Sequence, residues 1–107
     1  MSVPDYQSCM LPLLQLASER NEEISTSEAV EILAERLKLS PDDLKEMLPS
    51  GIQATFVNRI GWASTYMKKA GLLEPTRRGF YQITQRGQEL LKKKPLKIDV
   101  KLLKQFP

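Results

Sequence analysis

The sequence predicts a mainly α-helical domain with a small β-hairpin in its second half. Three observations predict this fold class: apolar residues recur at helical spacing along most of the chain, two helix starts carry capping signals, and a long helix that ends at a glycine is followed by two strand-like runs. The length of 107 residues and the 41% share of hydrophobic residues fit one globular domain. We expect about five helices and a sheet of two or three strands.

The first two helices are predicted near the N-terminus. Residues 5–19 place apolar side chains on one helical face, and Pro12 either kinks this helix or delays its regular part until about Met10. Ser25, followed three positions later by Glu28, is a capping box that starts the second helix. Both helices therefore offer an apolar face to a common core.

A short third helix is predicted next. Ser40 is its N-cap, and Pro41 takes the first helical position, where the missing N–H has no partner to lose. A Pro-Ser-Gly run at residues 49–51 ends this segment. Its apolar residues are expected to face the core: Leu44, Met47 and Leu48.

The fourth helix is predicted over residues 53–70 and carries a regular apolar stripe. The stripe residues are spaced by four, three, four and three positions, and a glycine follows as the helix stop. They are Phe56, Ile60, Ala63, Met67 and Ala70. We expect this face to be buried and the opposite face to be exposed.

Two strands and a closing helix complete the predicted order. Residues 72–74 and 80–83 predict a hairpin with a five-residue loop, and Ile24 could add one rung to its sheet. Thr84 can cap a last helix over residues 85–94. The sheet is therefore small and lies between helices in the sequence.

Charge is divided unevenly along the chain. Residues 1–57 carry four basic and ten acidic residues, a net charge of −6, whereas residues 58–94 carry nine basic and two acidic residues, a net charge of +7. Residues 95–107 add three basic residues and one acidic residue. A positive field of this kind suits a polyanion, and we expect nucleic acid. A solvated lysine-rich surface is the alternative, and charge alone does not decide between them.

The composition also argues against several chemistries. The sequence has no histidine and one cysteine, Cys9, which removes the commonest general base and nearly every zinc site built from these residues. We therefore expect no catalytic residue, no metal site and no cofactor in this domain. The absence of a membrane-length apolar run and of a secretory signal, together with the unpaired cysteine, favours the cytoplasm.

The predicted elements follow one another in the order of a winged helix-turn-helix domain. In such a domain the long helix enters the major groove of DNA and the hairpin touches the flanking backbone, so both need cations on one side of the molecule. This architecture accounts for the division of charge. It predicts that residues 1–94 are a DNA-binding domain whose partner is double-stranded DNA.

The outer face of the fourth helix supplies candidates for the DNA groove. Asn58 could pair with adenine, and Thr65 could touch a thymine methyl group or a phosphate, with Gly61 between them. Lys68 and Lys69 would neutralise the phosphate backbone. Plain solvent exposure explains Asn58 and Thr65 equally well.

Two residues at the border of this face have alternative roles. Arg59 either binds phosphate or packs its stem on the core and reaches a carboxylate of the acidic first half. Trp62, the single tryptophan, is expected to pack against a neighbouring element rather than to stack on a base.

Three arginines outside the fourth helix are further candidates for DNA contact. Arg77 and Arg78 at the hairpin tip suit phosphate oxygens or a narrow minor groove. Arg86 lies in the first turn of the last helix, where it opposes the helix dipole, and this position suggests that a phosphate binds beside it.

The segments NRIGWASTYMKKAGLL and RRGFYQITQRGQELL, with PDYQSCMLPLL near the N-terminus, resemble the N-terminal winged-helix domain of Mrr-type restriction endonucleases. The resemblance covers residues 4–91, and its most specific part is NR-x-x-WA followed by K-x-AGLL. It implies a DNA-binding module of a restriction system that cuts modified, typically methylated, DNA. In that family a separate C-terminal nuclease domain of the PD-(D/E)XK class does the cutting, and Mg²⁺ is expected there.

Short strings that match parts of a nuclease motif occur within this chain as well. They are PD at 4–5 and 41–42 and D-x-K at 43–45 and 99–101. We interpret them as structural or surface residues, because carboxylates that bind Mg²⁺ must converge from adjacent strands of a sheet. Residues 95–107 carry an apolar pattern that predicts the start of a linker towards a missing C-terminal domain.

Two other functions stay open at the level of sequence. One is a free-standing transcriptional regulator, which would normally need a homo-oligomer, and the other is a protein-interaction winged helix with an acidic partner. Duplex binding that weakens as salt rises separates the DNA hypotheses from the interaction hypothesis. A strict monomer would count against the regulator.

Overall fold

The computed structural model describes residues 3–106. Its elements in chain order are α1 (Tyr6–Arg20), β1 (Ile24–Ser25), α2 (Thr26–Arg36), α3 (Pro41–Lys45), α4 (Thr55–Lys69), β2 (Leu73–Arg77), β3 (Phe80–Ile83), α5 (Gln85–Lys92) and α6 (Val100–Leu103). Helices and sheet contribute side chains to one apolar core. The predicted fold class is confirmed: the described chain is mainly helical with a three-stranded antiparallel sheet, and α6 is an additional helix that the sequence did not predict.

A side-chain cap that the sequence analysis did not predict starts the first helix. The Asp5 carboxylate accepts the Ser8 N–H at 2.8 Å, and α1 then continues through Pro12. The later start near Met10 is therefore wrong. Proline leaves the Ser8 carbonyl without its helical partner, but Ser8 is exposed, so water can replace that bond.

Capping boxes start α2 and α3. In α2 the Glu28 N–H donates to Ser25 Oγ at 3.1 Å, and the Ser25 N–H donates back to the Glu28 carboxylate at 3.2 Å. Ser40 and Asp43 form the same reciprocal pair in α3. The α2 box is as predicted, and the one in α3 completes a start that the sequence marked by Ser40 and Pro41 alone.

The expected inward packing of α3 is wrong for two of its three apolar residues. Leu44 is 39% exposed and Met47 is 47% exposed, whereas Leu48 is half-buried. Helix α3 ends at Lys45, after five residues, and the chain then turns into an isolated bridge between Met47 and Ala54. One and a half turns of helix are too short to lay a continuous apolar face on the core.

The sheet has the order β1-β3-β2 and is antiparallel throughout. Ile24 is paired with Tyr81, so the predicted rung is confirmed. Strand β2 extends to Arg77, beyond its predicted end at residue 74, and includes Pro75. An edge strand is the place in a sheet where proline is tolerated, and the register irregularity that follows Pro75 ends at the hairpin tip.

The segment after α5 packs on the same core as the helices before it. Ile98 and Leu103 are buried, and the first N–H of α6 donates to the side chain of Gln7 at 2.9 Å. Segment 95–106 therefore lies against the domain. The expectation that a linker to a further domain begins in this segment stays a prediction, and Pro107 lies outside the described residues.

Candidate nucleic-acid interface

Helix α4 has the two faces that its sequence predicts. The apolar stripe is buried against α1 and α2: Phe56, Ile60, Ala63 and Met67. Four candidate residues lie on the other side, exposed or half-exposed: Asn58, Gly61, Thr65 and Lys69. The stripe fixes the rotation of the helix, so it also fixes which side chains reach solvent.

An open concavity, which we call the α4 notch, lies on this outer face and the adjoining start of α2. Its lining residues are Thr26, Gln53, Val57, Asn58, Gly61, Trp62 and Thr65. Asn58 Nδ2 donates to Gln53 Oε1 at 3.2 Å, which orients the amide and leaves Asn58 Oδ1 and one N–H for a ligand. The hydroxyls of Ser64 and Thr65 donate to the Gly61 carbonyl at 2.8 and 3.0 Å.

Gly61 leaves the backbone of α4 open to approach from outside. Glycine inside a helix costs roughly 1 kcal/mol relative to alanine, so it needs a reason. A Cβ built at this position would meet no atom within 4 Å. Packing within the chain does not require the glycine, whereas close approach of a ligand to the helix would.

Trp62 is the clearest departure from expectation at this site. It was predicted to pack against a neighbouring element, but it is 50% exposed and lines the α4 notch. Its ring lies 6.3 Å from that of Tyr66, which in turn stacks on Tyr6 of α1 at 5.3 Å. Tyr66 therefore fills the space between α4 and α1, and Trp62, one turn earlier, is left at the edge.

The hairpin tip places two adjacent arginines in different surroundings. Both are exposed, as predicted. The guanidinium of Arg77 lies 3.8 Å from the centre of the Phe80 ring and pairs with Glu23 at 2.8 Å, while Thr76 donates to the same carboxylate at 2.7 Å. Within residues 3–106 no ion pair involves Arg78. Arg78 is thus the cation that the hairpin offers directly to a partner.

The pairing between Glu23 and Arg77 is an electrostatic link between the acidic first half and the hairpin. Hydrogen bonds from Thr76 and Arg77 lower the pKa of the Glu23 carboxyl, so it is ionised at neutral pH. The pair is exposed and open to screening by salt. Arg77 can therefore exchange this partner for a phosphate at little cost.

A second concavity, the wing pocket, lies between the hairpin, α4 and the start of α2. Its lining residues are Thr26, Lys68, Pro75, Arg77, Arg78, Gly79, Phe80 and Tyr81. The ammonium of Lys68 lies 5.7 Å from the centre of the Tyr81 ring, which holds this cation near the hairpin. Thr26 lines both the wing pocket and the α4 notch, so the two concavities adjoin at this residue.

Two of the predicted contact residues have partners inside the fold. Arg59 Nη1 donates to the carbonyl of Pro4 at 3.2 Å, so its partner is a backbone oxygen rather than the expected carboxylate. Arg86 Nη1 donates to the carbonyl of Ala70 at 2.8 Å, and its guanidinium lies 5.3 Å from the Phe106 ring. Arg86 thus interacts with the negative end of α4, which explains a cation in a position that its own helix disfavours.

The carboxylates in the nuclease-like strings take part in helix starts. Asp5 caps α1, Asp43 completes the capping box of α3, and Asp99 caps α6. Asp42 lies in the first turn of α3. Among residues 3–106, no three His, Cys, Asp or Glu side chains come together as metal ligands. Cys9 is buried, which raises the pKa of its thiol to about 11 and keeps it protonated.

Sequence reasoning missed two residues of this surface. Thr26 follows a capping serine and is assigned by the sequence to a helix start, and Gln53 is assigned to the first position of the fourth helix, which begins instead at Thr55. The capping box itself was the available signal for Thr26, since it places the start of α2 directly after Ile24, the residue expected to join the sheet.

Helix order, sheet topology and the outward face of α4 define a winged-helix-like domain. The chain belongs to the family of Mrr N-terminal domains, whose family model matches residues 6–93. It is 31% identical over 87 residues to the type IV methyl-directed restriction enzyme EcoKMrr of Escherichia coli strain K12, a match that covers 81% of this chain and 28% of that enzyme. The chain therefore corresponds to less than a third of that relative.

The resemblance that the sequence motifs suggested is thus confirmed. No solved structure is significantly similar to the chain. In the part of the chain that the structure describes, no helix is both long and apolar enough to cross a membrane.

Proposed function

We propose that this chain is the DNA-binding module of a modification-dependent restriction enzyme and does not cut DNA itself. Family membership and the name of its relative, a methyl-directed restriction enzyme, support this function. Because the matched region is 28% of that relative, the proposal includes a C-terminal nuclease domain that uses Mg²⁺. We also propose that the protein acts on DNA in the cytoplasm.

The observation that carries the proposal is that the α4 notch and the wing pocket adjoin at Thr26. A groove-facing helix and a backbone-facing hairpin contact one duplex only if they share a surface. The start of α2 lies between them and contributes the side chain of Thr26, whereas the N–H groups of Ser25, Thr26 and Glu28 are already hydrogen-bonded within the fold. The three parts together fit a major groove with its flanking backbone.

The cations available to this surface are fewer than the charge count of the second half suggests. Arg59 and Arg86 are hydrogen-bonded within the fold, and Arg77 is paired with Glu23. Lys68, Lys69 and Arg78 remain for phosphates. Because each neutralised phosphate contributes about −0.9 to the salt slope, three contacts predict a slope of about −3 for log K against log salt concentration.

The test is a salt titration of duplex binding, in which the fluorescence anisotropy of a labelled random-sequence duplex measures the affinity. We expect clear binding at low salt, a slope of about −3, and a steeper slope if Arg77 leaves Glu23. Absence of binding to any duplex at low salt would contradict the function and would favour the protein-interaction hypothesis. Size measurement with and without DNA examines the homo-oligomer that a free-standing regulator would need.

A further inference from the structure

Trp62 is a large aromatic side chain that the fold uses only in part. It is 50% exposed and lines the α4 notch. Side chains of this size usually contribute most of their area to the core of a small domain. Neither core packing nor contact with the phosphate backbone accounts for a ring in this position.

Two tyrosines hold the Trp62 ring from one side. The Tyr66 ring lies 6.3 Å from it and is tilted by 46°, and Tyr6 of α1 stacks on Tyr66 at 5.3 Å. Both tyrosines pack against the core. A tilt of 46° does not cover the indole face to face, so the ring is anchored while part of its surface stays available for stacking.

The space beside this ring is open and carries a polar group. A Cβ built at Gly61 would meet no atom within 4 Å, so no side chain fills the notch there. Gln53 takes one N–H of Asn58, which leaves Asn58 Oδ1 and the other N–H free for a ligand. Proteins hold an unstacked base by these same two features, an aromatic surface and a hydrogen-bonding edge.

The charge of α4 favours a nucleotide as the occupant of the notch. The helix carries three basic residues, Arg59, Lys68 and Lys69, and no acidic residue. A nucleotide brings a phosphate into this positive field, whereas an apolar peptide segment brings no charge that would gain from it.

A base within an intact duplex cannot offer its face to Trp62. Its neighbours in the stack cover both faces, and the grooves display only base edges. Taking a base out of the stack costs least when that base is mismatched or already unpaired. Stacking on an aromatic side chain is worth about five- to hundredfold in affinity for each base. DNA that already contains an unpaired base therefore gains most from this ring.

We propose that Trp62 is a stacking platform for one unpaired DNA base, so that the domain binds a duplex with a bulged or mismatched base more tightly than a fully paired duplex. This inference rests on the proposed function, since it requires α4 to lie against DNA. The stacked base occupies the α4 notch, and Asn58 meets its edge. Tyr66 and Tyr6 act as positioning residues that keep the indole in place.

The first test compares three duplexes of one unmodified sequence: fully paired, with one bulged adenine, and with one bulged abasic site. The abasic bulge loosens the duplex as the adenine bulge does but has no base to stack. For the parent chain, anisotropy should show the adenine bulge bound about tenfold more tightly than the abasic bulge. Trp62→Ala should bring this ratio close to one, and Trp62→Phe should keep part of it. Arg78→Ala is the matched control, because loss of a phosphate contact should weaken all three complexes by a similar factor.

A second measurement needs no substitution and so does not depend on the folding of a variant. Trp62 is the only tryptophan, so its emission reports on the platform alone. An indole stacked on a base loses emission, and we therefore expect the adenine bulge, at saturation, to quench Trp62 more than the abasic bulge does. Equal quenching by the two saturated complexes would overturn the inference.

The outcomes separate the inference from the function on which it rests. Equal affinity for the adenine and abasic bulges means that the domain responds to a bent duplex rather than to a base, which overturns the platform and leaves DNA binding intact. A preference for the adenine bulge that Trp62→Ala leaves unchanged also overturns it. Failure to bind any of the three duplexes overturns both.

Discussion

The hairpin tip and the outer face of α4 belong to one surface, yet they are built from different kinds of side chain. The tip carries Arg77 and Arg78 on exposed backbone, and the wing pocket behind it adds Lys68. The α4 notch holds two amides, two hydroxyls, an aromatic ring and an open glycine, with no charged residue in its lining. Charge binds any duplex, whereas shaped neutral groups distinguish one base edge from another.

The difference predicts a division of labour: the hairpin supplies affinity and the notch supplies discrimination. The lining residues of the two concavities have one member in common, Thr26, so the other side chains of each can be changed separately. Substitutions in each should therefore change different measured quantities. Four of them are ordered here by the size of the effect.

The largest effect is expected at the hairpin tip. Arg77→Ala combined with Arg78→Ala should lower affinity for every duplex by roughly tenfold or more at low salt. The salt slope should fall by about one, since Arg78 is one of the three cations left for phosphate, or by about two if Arg77 exchanges Glu23 for a phosphate. A salt titration by anisotropy measures both. Lys101→Ala with Lys104→Ala removes two exposed cations from α6 and its C-cap and serves as the control. Unchanged binding by the arginine variant would remove the hairpin from the interface.

The next effect should concern base preference. Asn58→Ala is expected to cost about 1–3 kcal/mol of discrimination at one base position, because a bidentate amide contact to adenine is lost. Selection from a library of random duplexes measures it, since the preferred sequence should become less defined at that position. Gln53→Ala should give a weaker form of the same change. An unaltered selection profile would mean that Asn58 is simply solvated.

A pair of glycine substitutions separates the role of Gly61 in the α4 notch from its effect on the stability of the domain. Gly61→Ala should stabilise the domain by up to roughly 1 kcal/mol, since it raises helix propensity and meets no neighbour, yet weaken DNA binding a few-fold because a Cβ fills the approach to α4. Thermal unfolding and anisotropy measure the two effects separately.

Gly71→Ala is the matched control for this substitution. Gly71 has φ +79, and an added Cβ would lie 2.9 Å from Arg86 Nη1, so the change should destabilise by about 1–2 kcal/mol. Undiminished DNA binding by a stabilised Gly61→Ala variant would show that the helix backbone does not approach DNA.

The smallest effect should come from the link between the two halves of the chain. Glu23→Gln is expected to tighten duplex binding about two- to threefold, because it frees Arg77 for phosphate. The pKa of Glu23 is lowered, so the ion pair with Arg77 is fully formed at any pH above the ordinary pKa of a glutamate. The pair is lost only as the pH falls through the lowered pKa. The gain should therefore be constant from about pH 6 to 8. Weaker binding by the variant would indicate that Glu23 positions Arg77 for contact.

Most of the fold could be predicted from local sequence. Capping residues such as Ser25 and Ser40 act within one turn of the chain, and the apolar stripe of α4 directly identifies its buried face. The errors arose where distant parts of the chain meet. Leu44 has no core to reach because α3 ends early, and Trp62 is displaced to the surface by the contact between Tyr66 and α1.

The sequence predicted the exposed face of α4 and the cations of the candidate site, but not the partners that these cations have inside the fold. The sequence identified the cations, yet nothing in its spacing shows that Arg59 meets the Pro4 carbonyl or that Arg86 meets Ala70. Such contacts join residues far apart in the chain. The number of cations left for DNA therefore follows only from the folded arrangement.

The account depends most on the claim that the α4 notch and the wing pocket face one ligand through Thr26. An NMR titration of the labelled chain with a short duplex at low salt tests it directly, because each backbone amide reports its own surroundings. We predict that the shifted amides cluster on the outer face of α4, at Thr26 and at residues 77–79. Shifts confined to α1, α5 and α6, or spread evenly over the domain, would contradict it.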